Sequence, residues 1–188
     1  MLPLSILALL PIASAAPTPD IVASSTEAID WIPVDFEGKT LYVNSAALVE
    51  SSVNPAKKSE RSLLRRAPGS DTCGGSSFNS HPAPFASTAD CGVIRDWAGT
   101  ENTYWGVWNN TPDTHDLWYY GSCVFEAGTR NILDTYIGST DVRDVIRDAL
   151  NKRQSGGVVA SQGSMGCENS GSLIKGGPSL VNWKIKHS

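Results

Sequence analysis

Four cysteines, Cys73, Cys91, Cys123 and Cys167, are the residues of this 188-residue chain whose type and number speak most directly of chemistry. No Cys-x-x-Cys pair occurs among them and no histidine sits at ligand spacing beside them, which disfavours zinc. An even count in an oxidising compartment implies two disulfides. Three connectivities are open to four cysteines; the preferred one is nested, Cys91 with Cys123 and Cys73 with Cys167, because it ties the two ends of the cysteine-bearing region together. Acid–base candidates are sparse. His81 lies among prolines, His115 in the polar stretch NNTPDTHD and His187 beside the last residue, and neither Gly-x-Ser-x-Gly nor His-Glu-x-x-His is present. GSMGC looks like a nucleophile turn, but Cys167 is needed for the even disulfide count. His115, Glu126 and Arg130 have the types required of a base, an acid and a phosphate clamp in a small ribonuclease. An ordinary surface carries the same residues, so no catalytic residue, metal or cofactor is expected.

A second constellation is aromatic. YWGVWNNTPDTHDLWYY, residues 104–120, flanks a polar loop with rings, among them Trp105, Trp108 and Trp118. Exposed, these rings could stack on sugars or anchor a protein partner; buried, they are sheet core with cross-strand pairs. Asn109-Asn110-Thr111 on that loop is an N-glycosylation sequon, with Pro112 after it lowering the expected occupancy, and a glycan there would oppose a flat contact at the loop tip.

The segments before Cys73 set the compartment. MLPLSILALLPIASA is apolar, too short for the roughly 18 residues of a membrane span, and ends in the small-x-small pattern of a signal-peptidase site. Residues 1–15 are therefore read as a secretory signal cut after Ala15, with no stable membrane insertion and an extracellular product. Residues 51–70, SSVNPAKKSERSLLRRAPGS, are rich in Ser, Pro and charge without an apolar period, as in an exposed linker. Arg65-Arg66 in that linker is read as the site of a subtilisin-like processing protease of the secretory pathway, cutting after Arg66. Residues 16–66 then form a pro-segment and linker, and residues 67–188 the mature domain. Within the pro-segment, DWIPVDFEGKTLYVN has the β-prone residues of a hairpin turning at Glu37-Gly38; the segment is either a folding aid or mask, or a loosely ordered spacer. The mature part carries nine Lys or Arg against twelve Asp or Glu. With the whole chain at a net charge of −4, that balance gives no basic field for nucleic acid.

Periodicity supplies the elements. STADCGVIRDWAG predicts a short helix capped by Ser87 or Thr88, with Ala89, Val93 and Trp97 four apart and Gly99 as a stop. STDVRDVIRDALNKRQSGG predicts a longer one, with a stripe of Val142, Val145, Ile146, Ala149 and Leu150, acidic residues in the first turn and basic ones in the last. TYWGVW, LWYYGSCVFEAG, ILDTYIG, VVASQGSM and LVNWKIKH read as strands. The last alternates Val181, Trp183 and Ile185 against Asn182, Lys184 and Lys186, which suits a strand with one wet face, and also an edge, where lysines discourage pairing with another chain. The expected fold class is α+β, a small disulfide-linked sandwich with an antiparallel or mixed sheet and two helices on one face.

The cysteine-bearing segments, CGGSSF at 73–78, DCGVI at 90–94, YGSCVFE at 120–126, IGSTDVRDVIRDAL at 137–150 and GVVASQGSMGC at 157–167, resemble the necrosis-inducing-factor, or extracellular effector, domain of fungal secreted proteins. The resemblance covers residues 73–167. It implies a secreted effector acting on a host plant or on competing microbes, in a family likened to small killer toxins of α/β-sandwich fold, and it brings no catalytic residues with it. Three function classes follow: a non-enzymatic effector that binds a host or microbial cell-surface target, a cell-wall glycan-binding module, and a small secreted hydrolase.

Overall fold

The computed structural model describes residues 30–48 and 70–188. Ala15 and Arg65-Arg66, the expected processing sites, lie outside the described residues.

The chain enters as a hairpin, β1 (Trp31–Phe36) and β2 (Lys39–Asn44), paired antiparallel over all six positions. The turn is Glu37-Gly38, with φ of 50° and 73°. Two successive left-handed residues give the turn whose twist matches that of paired strands, and glycine reaches that region at no steric cost. A single 3-10 turn, Ser45–Ala47, follows, and the Asn44 side chain caps it by accepting from the Ala46 amide at 3.0 Å.

After residue 70 come β3 (Cys73–Ser76), β4 (Asn79–Ser80), β5 (Ala86–Ser87), α1 (Thr88–Thr100), β6 (Tyr104–Val107), β7 (His115–Tyr120), β8 (Cys123–Thr129), β9 (Thr135–Gly138), α2 (Ser139–Arg153), β10 (Val158–Val159), β11 (Ser161–Cys167) and β12 (Ser179–His187). Eight strands form one antiparallel sheet in the order β1-β2-β7-β8-β12-β11-β3, with β4 also on β11. Two short pairs, β5 with β10 and β6 with β9, stand apart from it. The fold is thus α+β, sheet-rich and antiparallel, with two helices.

Alternation along β8 and β12 defines two faces. Cys123, Phe125 and Ala127 lie in register with His187, Ile185 and Trp183, and this face meets the helices: Cys123 is bonded to Cys91 of α1. Ile94 and Trp97 of α1, and Val142, Val145, Ile146, Ala149 and Leu150 of α2, complete the core against Phe125, Met165, Val181, Trp183 and Ile185. Each such large apolar side chain contributes about 1.5 to 3 kcal/mol on burial. The helix stripe read from the sequence is the stripe that is buried. Ser87 is the N-cap of α1, its hydroxyl accepting from the Ala89 amide, and the helix runs one residue past Gly99.

The disulfides are nested, Cys73–Cys167 and Cys91–Cys123. The first joins register partners on β3 and β11. Beside it, Asp141 in the first turn of α2 is mostly buried, and its Oδ2 accepts from the Thr72 amide (2.8 Å), the Thr72 hydroxyl (3.0 Å), the Gly138 amide (3.0 Å) and the Cys73 amide (3.1 Å). One carboxylate therefore caps α2 and fixes the chain entering β3.

Two expectations are corrected here. LVNWKIKH is no edge strand: β12 lies between β8 and β11, and its lysines project from a face of the sheet. Residues 30–48, placed by sequence outside the domain, supply two strands of the same sheet and three residues of the same core, Leu41, Val43 and Ala47. Among the described residues no helix is long and apolar enough to cross a membrane.

Candidate binding face

The sheet face turned away from the helices is polar. Gln162 and Ser164 of β11 stand opposite Lys184 and Asn182 of β12, and Lys184 stands opposite Glu126 of β8, which in turn pairs with Asp116 of β7. Alternation puts these six side chains on one surface. Over part of it lies a trough of about 330 Å³, floored by Gln162, Ser164, Asn182 and Lys184 and walled by Ser77 and Asn79 on one side and Pro112 and Thr114 on the other.

Two glycines allow the walls to approach. A Cβ on Gly128 would lie 2.2 Å from the Asp113 carbonyl oxygen, and one on Gly163 would lie 1.9 Å from that of Ser77. Without a side chain at Gly128 the loop before β7 folds down on the polar face, and without one at Gly163, which stands opposite Trp183 on the helix-facing side, the Ser77 carbonyl closes in from that side. The first approach delivers the Thr114 hydroxyl to Glu126, donating to Oε2 at 2.7 Å. The second brings the Ser77 hydroxyl within 3.3 Å of that of Ser164, where it also accepts from the Ser164 amide at 2.9 Å.

Glu126 is only 6% exposed, an unusual place for a carboxylate, and Lys186 answers it. The Lys186 ammonium lies 2.6 Å from Glu126 Oε1 and 3.4 Å from Asp116 Oδ1. Burial pushes the Glu126 carboxyl up, but hydrogen bonds with Asp116, Lys186 and Thr114 outweigh it and hold the group below its ordinary range. Burial and the neighbouring Glu126 push Asp116 above its own range, against the pull of Lys186. At neutral pH the arrangement is a locked ion cluster with a lysine between two carboxylates, and Lys184 of the adjoining trough is not among its ion pairs. The trough itself offers amides, hydroxyls and one ammonium, donors and acceptors suited to a hydroxyl-rich or peptide ligand.

The other candidates fall elsewhere. His115 pairs with Ala127 while Asp116 pairs with Glu126, so His115 and Glu126 point to opposite faces; the His115 ring instead stacks on Trp108, centroids 5.0 Å apart. Arg130 lies exposed past the end of β8. His115, Glu126 and Arg130 are thus not brought together. His81 lies on the loop after β4 and His187 at the end of β12. Among the described residues no group of three His, Cys, Asp or Glu side chains converges to hold a metal ion.

Of the two readings of the tryptophans, the buried one holds for Trp105 and Trp118. Trp118 is fully buried and Trp105 nearly so, packed edge to face with centroids 4.7 Å apart and joined by Trp97 and Phe125. They are core because β2 and the helices cover them. Trp108 is half-buried in its stack with His115. Asn109 is half-buried as well; with its side-chain amide turned so that the nitrogen donates, it reaches the Val107 carbonyl oxygen at 3.0 Å and that of Leu133 at 3.2 Å. Sequence reasoning passed over the trough and the ion cluster. Its one signal was the polar side of the alternation in LVNWKIKH, which gave the face but not the strands beside it.

A protein-family model matches residues 72–167, a span that begins at Thr72, held by Asp141, and ends at Cys167, enclosing both disulfides. That family, Hce2, is described as "Pathogen effector; putative necrosis-inducing factor". No curated protein matches the chain.

Proposed function

The chain belongs to this effector family, and from that premise we propose that it is secreted, processed after Ala15 and Arg66, and acts outside the cell by binding a host or microbial surface target through the outer sheet face rather than by catalysis. Export is supported by the apolar leader and by two disulfides, which persist in oxidising compartments. Binding is supported above all by one observation: the buried carboxylate of the face, Glu126, is neutralised by Lys186 and Thr114 with His115 turned to the opposite face, while the adjoining trough leaves amides, hydroxyls and Lys184 turned outward. A group held in that way is suited to fixing a surface and poorly suited to exchanging protons with a substrate.

The test compares purified variants on leaves and on fungal cultures, after confirming the fold of each. Lys184→Glu with Asn182→Ala reverses the charge and removes the amide of the trough floor, and is expected to lower activity by roughly tenfold or more. His115→Ala and Glu126→Gln should stay within a few fold of the parent. A folded His115→Ala or Glu126→Gln protein that lost roughly a hundredfold, the scale of removing a general acid or base, would replace this reading with the hydrolase.

The trough's hydrogen-bonding groups favour a second reading, a cell-wall glycan as the ligand. Retention of the protein on insoluble chitin or glucan, lost in the Lys184→Glu, Asn182→Ala variant, would carry it.

A further inference from the structure

Residues 30–48 are bound to the domain as a ligand is bound. β2 adds to the edge of β7, with Tyr42 opposite Tyr119 and Val43 opposite Trp118. Leu41 and Ala47 are fully buried and Val43 is 3% exposed, all three within the core that holds Trp118. On the other face Tyr42 stacks on Tyr119, and Trp31 meets the same ring edge-on at 4.7 Å. Asn44, also buried, donates from Nδ2 to the Asp116 carbonyl oxygen at 2.9 Å. The hairpin holds its own shape as well, through its β1–β2 ladder, the Thr40 to Asp35 side-chain bond and the bond from the Ser45 amide to the Asp30 carbonyl.

Nothing covalent secures this piece beyond the chain that follows it. All four cysteines lie after residue 72 and pair among themselves. Arg65-Arg66 lies between the hairpin and the first of them. We infer that residues 30–48 are a docked β-hairpin subunit that remains on the β7 edge after the chain is cut at Arg66, so that the mature effector consists of two chains associated without a covalent bond. Its natural occurrence rests on the processing reading above; the docking does not. The recognition is β-augmentation: ladder bonds to β7 give affinity, and Leu41, Val43 and Ala47 on one side and Tyr42 on the other give register. Loss of the hairpin would expose the Trp118 core and an unpaired sheet edge, a cost that opposes release.

The experiment separates the two readings. The intact secreted chain is cut in vitro with a dibasic-specific subtilisin-like protease, and the product is run by size exclusion in native buffer and in concentrated urea, with intact-mass identification of each peak. Co-elution of the hairpin peptide with the 67–188 chain in native buffer, and their separation in urea, is the expected result. Separation in native buffer, whether or not the larger chain stays folded, overturns the inference. The same experiment on Val43→Asp, which puts a charge into the core, should show the hairpin bound at least roughly a hundredfold more weakly, and undiminished co-elution would also overturn it. Lys39→Ala, at the exposed turn, should not change retention. N-terminal sequencing of the natural product reports independently on whether the cut at Arg66 is made.

Discussion

Tyr42 stacks on Tyr119 with ring centroids 4.6 Å apart and planes within 9° of parallel, across a junction between strands far apart in the chain. Such pairs contribute about 0.5 to 1.5 kcal/mol beyond their buried area. A double-mutant cycle with Tyr42→Ala and Tyr119→Ala, read by urea unfolding of the intact chain, should give a coupling energy in that range. Strictly additive single effects would mean that the stack contributes nothing to holding the hairpin.

The two bridges close loops of different length, 94 residues for Cys73–Cys167 and 32 for Cys91–Cys123. On the chain-entropy account the longer loop is worth about 4 to 5 kcal/mol and the shorter about 3 to 4. Paired serine substitutions that remove one bridge at a time should both lower the urea midpoint, with Cys73→Ser, Cys167→Ser the more damaging. The reverse order would show that the helix-to-sheet tie, and not loop length, sets the stability.

Asp141 titrates in a useful window. Burial pushes its carboxyl up to about 6, against the hydrogen bonds from Thr72, Gly138 and Cys73 that favour the charged form. An acid whose folded pKa is raised contributes most below its unfolded value, near 3.8, and the contribution is lost as the pH rises through about 6. Between pH 4 and 6.5 the parent should lose stability relative to Asp141→Asn by at most about 3 kcal/mol. Parallel thermal-unfolding profiles of the two proteins across that range would contradict it.

Lys186→Met leaves Glu126 and Asp116 side by side without their cation. Because Lys186 is partly exposed the cost should be moderate, about 1 to 3 kcal/mol at pH 7. Two adjacent carboxylates bind a proton more readily, so the deficit should shrink toward pH 4. Adding Glu126→Gln to the variant should restore much of the loss at pH 7. A deficit that did not change with pH would place the effect in lost packing of the lysine stem.

What the sequence made legible was local. The α2 stripe, the Ser87 cap and the Glu37-Gly38 turn each depend on residues within one or two turns of each other, and each stands where the pattern put it. For Trp118 the sequence left surface and core both open because part of its cover, Val43 on β2, comes from seventy-five positions earlier, which no local pattern reports. β12 looked like an edge because alternation distinguishes the faces of a strand and is blind to its neighbours. Glu126 was singled out by type alone; its partners Asp116 and Lys186 arrive on two other strands, and only the register β7-β8-β12 joins them.

The position of β12 bears on how the protein is made. It is the last of the described strands in chain order, yet it fills the gap between β8 and β11. Until it has emerged from synthesis, those two strands have no partner on their facing sides, and the halves of the sheet cannot join. Joining the halves therefore waits on β12, whose ladder with β8 is made of contacts of long sequence separation, and until then the nascent chain presents two open edges to any chaperone in its path.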